Sequence, residues 1–404
     1  MTPAGLGLYV HVPFCARKCA YCPFYSLPLE SGSSFDYLRC VISEIEALAG
    51  DKRLLGRPLT TAYIGGGTPS VLGAGDLKVI LDTISNCFAC ELRELTVEAN
   101  PESLNLDVVS AISRAPGGRL SLGVQSFHDE QLRVLGRGHD ARAAGRAAAM
   151  ATEAGLGCVS MDLIYGVPGQ TTRVWESTLD SALGLGAGHI SCYCLSLEAG
   201  TPLARAVEEG DIRPLEESEQ REMYNAARSV FRREGFEHYE ISNFAKPGHE
   251  SQHNLGYWRR GEYVGAGPSA HSFLEGVRWW NVNDVDEYCR RISAGHNPIA
   301  RREQVTHEQA IDETVMLALR TSEGLPLDRI RDVGGENAED ALLASARPLV
   351  EEGVLAARGR ALVIPHDHWF VSDEIIARLL EARRRFRRAP AAGRSEDPPA
   401  EQVG

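Results

Sequence analysis

Over the first 235 positions, short apolar runs alternate with longer segments of helical spacing. The run Leu-Gly-Leu-Tyr-Val-His-Val at 6–12 predicts a strand, and similar runs predict strands at 61–64, 94–98, 119–124, 158–165 and 189–197. Between them, Val41, Ile45 and Leu48 lie on one helical face of a segment at 35–48, and Leu77, Ile80, Leu81 and Ile84 on another. Further helices are expected near 107–113, 128–135, up to 154, at 173–186 and at 218–234. Strand and helix in strict alternation indicate βα units around a parallel sheet. The expected fold is α/β, a partial (β/α)6 barrel over 1–235. Six units rather than eight leave a gap that would admit a large substrate. In such folds the loops after the strands' carboxyl ends carry the chemistry.

The pattern then changes. Residues 236–304 read as a loop-rich extension. Residues 305–382 predict helices at 308–320, 326–333 and 337–352, a hairpin at 354–364 and a helix at 371–383, the order of a winged helix. The third of these helices (Ala-Glu-Asp-Ala-Leu-Leu-Ala-Ser-Ala-Arg) lacks the basic face that DNA requires, so the unit is read as a lid or docking surface. From 383 to 404 the chain is rich in Arg and then in Pro, Ala and Glu, and is expected to be a disordered tail. Its charges are either simply solvated or touch an acidic membrane surface.

Composition narrows the function. A net charge of -13 over 404 residues argues against nucleic acid as a partner. No apolar run approaches the ~18 residues of a membrane span, and the start shows no secretory signal pattern. Ten cysteines without that pattern suit a reducing cytoplasm, as thiols or metal ligands. Cys87 with Cys90, and Cys192 with Cys194, are read as buried structural thiols.

One group stands apart. Cys15, Cys19 and Cys22 follow the first strand at once, with three and then two residues between them. Three thiolates can hold three irons of a [4Fe-4S] cluster and leave the fourth open, unlike the four-cysteine sites of ferredoxins. Half of a zinc site, or unrelated buried thiols, would leave the same spacing. The other strand ends carry chemistry too. Gly65–Gly67 let backbone approach a ligand closely, or merely make a turn. Glu98 and Asp162 can take hydrogen bonds from hydroxyls or an ammonium group, or cap helices. Gln125 can donate and accept. Arg137 can pair with a carboxylate or be solvated, and Tyr9 can be a plain core aromatic. The strand pattern gathers all of these, with Ser196, onto one rim.

The runs YVHVPFCARKCAYC, GGGTPS, EANPES, RLSLGVQSF, MDLIYGVPGQT and YEISNFAKPGHESQHNLGYW, spread over roughly residues 6 to 380, resemble the coproporphyrinogen III oxidase-like branch of the radical S-adenosylmethionine (radical SAM) proteins, and within it the haem-chaperone group. The resemblance implies that Cys15, Cys19 and Cys22 ligate a [4Fe-4S] cluster. It implies SAM contacts at Tyr9, Tyr21, Gly66, Gly67, Thr68, Glu98, Gln125, Arg137, Asp162 and Ser196. The run His253-Asn254-Leu-Gly-Tyr257-Trp258 resembles that group's haem-binding motif and makes His253 the favoured iron ligand, ahead of His249 and His271. Read without the resemblance, a loop histidine is more often only hydrogen-bonded or solvated. Two implied functions stay open. One is a haem carrier that passes haem to apo-haem proteins such as respiratory cytochromes. The other is an oxygen-independent coproporphyrinogen III oxidase that decarboxylates propionates by radical chemistry. The decarboxylase branch has a further cysteine where this chain has Phe24, and a longer segment before its first strand. Both differences favour the carrier, while Pro23 departs from the acidic residue common among the carriers. An electron donor, a homodimer and a peripheral contact at the inner membrane face are further implied associations.

Overall fold

The computed structural model describes residues 5–29, 33–88 and 90–388, and they form two compact units that divide at Val305 and Thr306. In the first unit, six strands follow one another in the sheet in chain order, each parallel to the next: β1 (Leu6–Val12), β2 (Leu59–Gly66), β3 (Cys90–Ala99), β4 (Gly118–Gln125), β5 (Cys158–Tyr165) and β6 (His189–Cys194). Between them run α1 (Ser33–Ala49), α2 (Gly73–Cys87), α3 (Leu106–Ser113), α4 (Asp129–Val134), α5 (Ala141–Glu153) and α6 (Thr172–Gly184), with α7 (Pro202–Glu208) and α8 (Glu217–Arg233) after β6. Alternation on each strand fixes the layers. Leu8, Val10, Ala62, Ile64, Leu95 and Val97 are buried against the helices. Their neighbours Tyr9, His11, Thr61, Tyr63, Glu94, Thr96 and Glu98 face the other way. The sheet curves, because the ends of β2 to β6 and the loop after β1 surround one cavity.

The expectation of loops over 236–304 is corrected here. This stretch adds β7 (Glu237–Glu240), β8 (Asn243–Ala245), β9 (Tyr263–Ala266), β10 (His271–Leu274), β11 (Val277–Asn281) and β12 (Ile299–Gln304), with α9 (Gln252–Trp258) and α10 (Val285–Ser293) between them. All six strands join the same sheet, whose order is β12-β11-β10-β9-β1-β2-β3-β4-β5-β6-β8-β7. β9 lies parallel to β1 on its free side, and β8 returns antiparallel to β6. Strands of three to six residues leave too short a pattern for periodicity to reveal.

Helix α9 closes the amino-terminal end of the strands. Ser251 caps it, accepting from the Asn254 N–H at 3.3 Å. The buried Glu94 carboxylate takes the amides of Gln252 (2.6 Å) and His253 (3.2 Å) and the Ser251 hydroxyl (3.0 Å). It thereby satisfies donors that the first turn leaves free. Tyr239 Oη accepts from the Ser251 N–H at 3.2 Å and bonds His189 Nε2 at 2.8 Å, which ties the same turn to β6.

The second unit follows the expected order: α11 (His307–Ala318), α12 (Leu327–Gly334), α13 (Glu336–Glu351), the hairpin β14 (Ala356–Arg358) and β15 (Ala361–Val363), and α14 (Ser372–Arg388), with β13 (Leu325–Pro326) beside the hairpin. The expected tail begins too early. Helix α14 runs on to Arg388 because Arg383 is buried and donates to Glu308 (2.9 Å) and Asp312 (2.5 Å), which continues the packing of Ile375, Ile376 and Leu379. Residues 389–404 of that tail lie outside the described residues.

Replacing Glu94 by Ala would take the acceptor from four donors, the amides of Gln252 and His253 and the hydroxyls of Ser251 and Thr96, a cost of about 3 kcal/mol. The first unit of Glu94→Ala should therefore unfold at clearly lower urea than the parent, as followed by circular dichroism, while a Glu91→Ala control on the exposed start of β3 should not.

Candidate functional site

A cavity of 510 Å³ opens at the carboxyl ends of the strands. Cys15, Cys19 and Cys22 line it as free, half-buried thiols, together with Tyr21, Gly66, Gly67, Thr68, Glu98, Gln125, Arg137, Asp162 and Ser196. These residues come from seven separate loops or strand ends. Tyr9 is not in the wall. It stands beneath, with its ring on that of Tyr63 (6.2 Å between centroids, 28° between planes) and its hydroxyl 3.0 Å from His11 Nδ1.

Local bonds tie the cysteine loop to the strand ends. Arg137 donates to Cys19 Sγ at 3.2 Å and to the Gly123 carbonyl at 2.9 Å. Its guanidinium also reaches Asn100 Oδ1, and Asn100 Nδ2 donates to Thr68 Oγ1 at 2.9 Å. Thr68 in turn donates to Cys15 Sγ at 3.5 Å. Loss of solvent and the neighbouring cysteines push the Cys22 thiol up. Among the described residues, no three Cys, His, Asp or Glu side chains close on one point as ligands of a single ion would. The loop offers separate sulfurs around a common space. That donor set suits a polynuclear cluster, in which each sulfur takes a different iron.

The rest of the rim is bare backbone and carboxylates. A Cβ on Gly66 would lie 2.4 Å from the His11 ring, and one on Gly67 would lie 2.4 Å from the Phe14 carbonyl, so side chains are excluded at both. Gln125 holds φ +65, which a non-glycine residue rarely adopts, at a break in the β4–β5 register, and lines the cavity. Glu98 accepts the Tyr63 hydroxyl at 2.7 Å and the Gly66 N–H at 3.0 Å. Burial raises its pKa to about 7, and the Asp162 carboxylate adds to the rise against those two hydrogen bonds. Asp162 accepts the Ser121 hydroxyl at 2.8 Å and is also shifted up by burial. Ser196 donates to Glu198 at 2.6 Å.

Residues to which the sequence reading gave no role at the site also line the wall: Tyr63, Asn100, Gly123, Tyr193 and Cys194. Cys194 had been read as a buried structural thiol, yet it borders the cavity and donates to Gln220 at 3.4 Å. Its position at the carboxyl end of β6 was the available signal. Cys192 is buried, as expected.

His253 is not at this rim. It sits buried on α9 at the opposite end of the strands, in a helix rather than a loop. Its Nδ1 lies 2.9 Å from Thr61 Oγ1, its Nε2 lies 2.9 Å from the Tyr257 hydroxyl, and Tyr63 stacks on its ring at 5.3 Å. Burial lowers its pKa to about 3, so the imidazole is neutral. His271 is exposed on β10, and His249 follows β8.

The fold and the three-cysteine rim define a radical SAM scaffold, and comparison with known families agrees. The radical SAM superfamily matches residues 9–182 and the HemN C-terminal domain matches residues 305–366. The Heme chaperone HemW of Mycobacterium tuberculosis is 37% identical over 381 residues, which cover 93% of this chain and 94% of that protein. The Heme chaperone HemW of Bacillus subtilis is 34% identical over 376 residues, covering 92% and 98%. The solved structure of the coproporphyrinogen III oxidase HemN of Escherichia coli superposes with a TM-score of 0.79 over 95% of this chain and 91% of that one, at 21% identity, which speaks to the fold alone. This chain belongs to the HemW family of radical SAM proteins. The superfamily implies a [4Fe-4S] cluster and SAM, and the residues on the rim fit both.

A ligand that brings N–H donors and a sulfonium charge near Glu98 binds best when that carboxyl is ionised. With the pKa at about 7, above the ordinary carboxylate value, ionisation is lost as pH falls through neutrality. SAM affinity measured by equilibrium dialysis should rise between about pH 6 and 8 and then level off. Glu98→Gln should abolish that dependence.

Proposed function

We propose that this protein is a haem chaperone that binds haem and passes it to apo-haem proteins, and that it carries a [4Fe-4S] cluster and SAM at its rim. The observation that carries the reading is the likeness, over almost the full length of both chains, to proteins named Heme chaperone HemW. Phe24 supports it. This side chain is 63% exposed at the cavity mouth, at the position where the decarboxylase branch carries a further cysteine.

Cys15, Cys19 and Cys22 would hold the cluster, whose open iron supplies a binding point for the amino and carboxylate groups of SAM. The chain's own residues do the rest. Thr68 and Arg137 hold hydrogen bonds to two of the sulfurs. Gly66 and Gly67 present bare backbone, and Glu98, Asp162, Gln125 and Ser196 offer acceptors and hydroxyls at the wall. Tyr21 borders the same space, and Tyr9 backs it from below.

His253 is the proposed iron ligand. A neutral imidazole is the form that binds iron, but both ring nitrogens have partners inside the protein. Coordination therefore requires α9 to leave its seat on Glu94 and Thr61.

The second reading, oxidative decarboxylation of coproporphyrinogen III, has the shared HemN fold in its favour. Anaerobic reconstitution followed by haem titration and a turnover assay separates the two. The expected result is saturable haem binding that weakens at least tenfold in His253→Ala, with coproporphyrinogen returned unchanged. Formation of protoporphyrinogen would overturn the chaperone reading.

A further inference from the structure

Tyr63 touches both of the chain's functional motifs. Its hydroxyl donates to Glu98 at the rim. Its ring lies on His253 at the floor, 5.3 Å between centroids and 30° between planes. The second Glu98 oxygen takes the N–H of Gly66, in the glycine turn that lines the cavity. The column has little slack. Tyr9 backs the Tyr63 ring from β1, and a Cβ on Gly65 would come within 2.7 Å of that ring and 2.8 Å of the Glu98 carboxyl. The two side chains thus pack over bare backbone. Below, His253 bonds Thr61 and Tyr257, and Tyr257 stands edge-on to Tyr263 at 4.6 Å. A contiguous path of packed rings and hydrogen bonds joins the rim to α9.

We propose that Tyr63 is a positioning residue that couples the two sites: a cationic ligand at Glu98 holds α9 on the floor, and loss of that ligand frees His253. The proposal rests on the reading of the rim as the SAM site and of His253 as the haem ligand. The sign follows from the chemistry of the hydrogen bond. A cation beside Glu98 keeps it ionised, and an ionised carboxylate is the stronger acceptor for the Tyr63 hydroxyl. The phenol is then held in the one orientation that lays its ring on His253. Without the cation the acceptor weakens, and a contact that seats α9 loosens. Coupling between binding sites is reciprocal, so haem on a freed His253 lowers SAM affinity by the factor by which SAM lowers haem affinity. α9 is the element both ligands bias. It is short, and its first turn is tied down by the single carboxylate of Glu94 and the Tyr239 hydroxyl.

The test uses full-length protein with its cluster reconstituted anaerobically and no reductant, so that SAM is bound and not consumed. Bound SAM is measured by equilibrium dialysis, and hydrogen–deuterium exchange of the 251–258 peptide is followed with and without it. In the parent protein, SAM should slow exchange there by about fivefold or more and weaken haem binding by a similar factor. Tyr63→Phe keeps the ring and loses the hydroxyl. At SAM concentrations that saturate this variant by equilibrium dialysis, SAM should no longer protect α9. A purely structural Tyr63 would raise exchange equally with and without SAM. SAM bound without protection in the parent, or equal protection in Tyr63→Phe, overturns the coupling. Absence of bound SAM in the parent overturns the rim assignment, and the coupling with it.

Discussion

The inward face of this sheet is polar, and its buried carboxylates and imidazoles need hydrogen-bond partners inside the protein. Burying a carboxylate or an imidazole without one costs more than most single contacts return. β3 shows how the constraint is met. Glu94, Thr96 and Glu98 alternate onto the same face. Glu94 is satisfied by the first turn of α9, and Glu98 by Tyr63 and the glycine turn. The two acids, four residues apart on one strand, anchor the floor and the rim. His189, held between Ser160 and Tyr239, ties the far side of the floor in the same way. The helix-facing side of the strands carries the apolar core and fixes register. The polar side fixes what lies above and below the strands.

From that arrangement the chemistry follows. Strand carboxyl ends meet at one mouth, so a loop of three thiols, a turn that excludes side chains and two carboxylates of raised pKa come together there, although the chain spreads them over some 150 residues. The rim belongs to the superfamily. What distinguishes this chain lies at the two ends of the column. Phe24 stands exposed at the mouth, and α9 presents a histidine whose nitrogens are both engaged. A carrier must hold and release its cargo. Under the proposed assignment of His253 as the haem ligand, its place on a short, separately anchored helix gives a physical basis for two such states.

Much of this was legible in the sequence because the six βα units are long enough for periodicity to show. The strand ends then follow, and with them the rim residues from Gly66 to Asp162. Tyr63 escaped notice because an aromatic residue in mid-strand looks like core. Only the curvature of the sheet turns it toward the cavity. Helix α9 was missed although Ser251 is a good cap, because seven residues containing a glycine and two aromatics carry a weak helical pattern. The strands on either side of it are three to six residues long, and β9 and β8 gain their pairing from β1 and β6, which local pattern does not report. At the other end of the chain, an Arg-rich stretch looked solvated. Arg383 is buried because Glu308 and Asp312, more than seventy residues earlier, meet it.

In the function proposed above, a radical SAM scaffold carries haem rather than transforms a porphyrin. Haem transfer tests it most directly. Protein loaded with one equivalent of haem under anaerobic conditions is mixed with excess apomyoglobin, and the acceptor's Soret band is followed. The account predicts that haem appears on the acceptor while the donor protein stays folded and its cluster intact. Haem retained on the protein at a large excess of acceptor would contradict it.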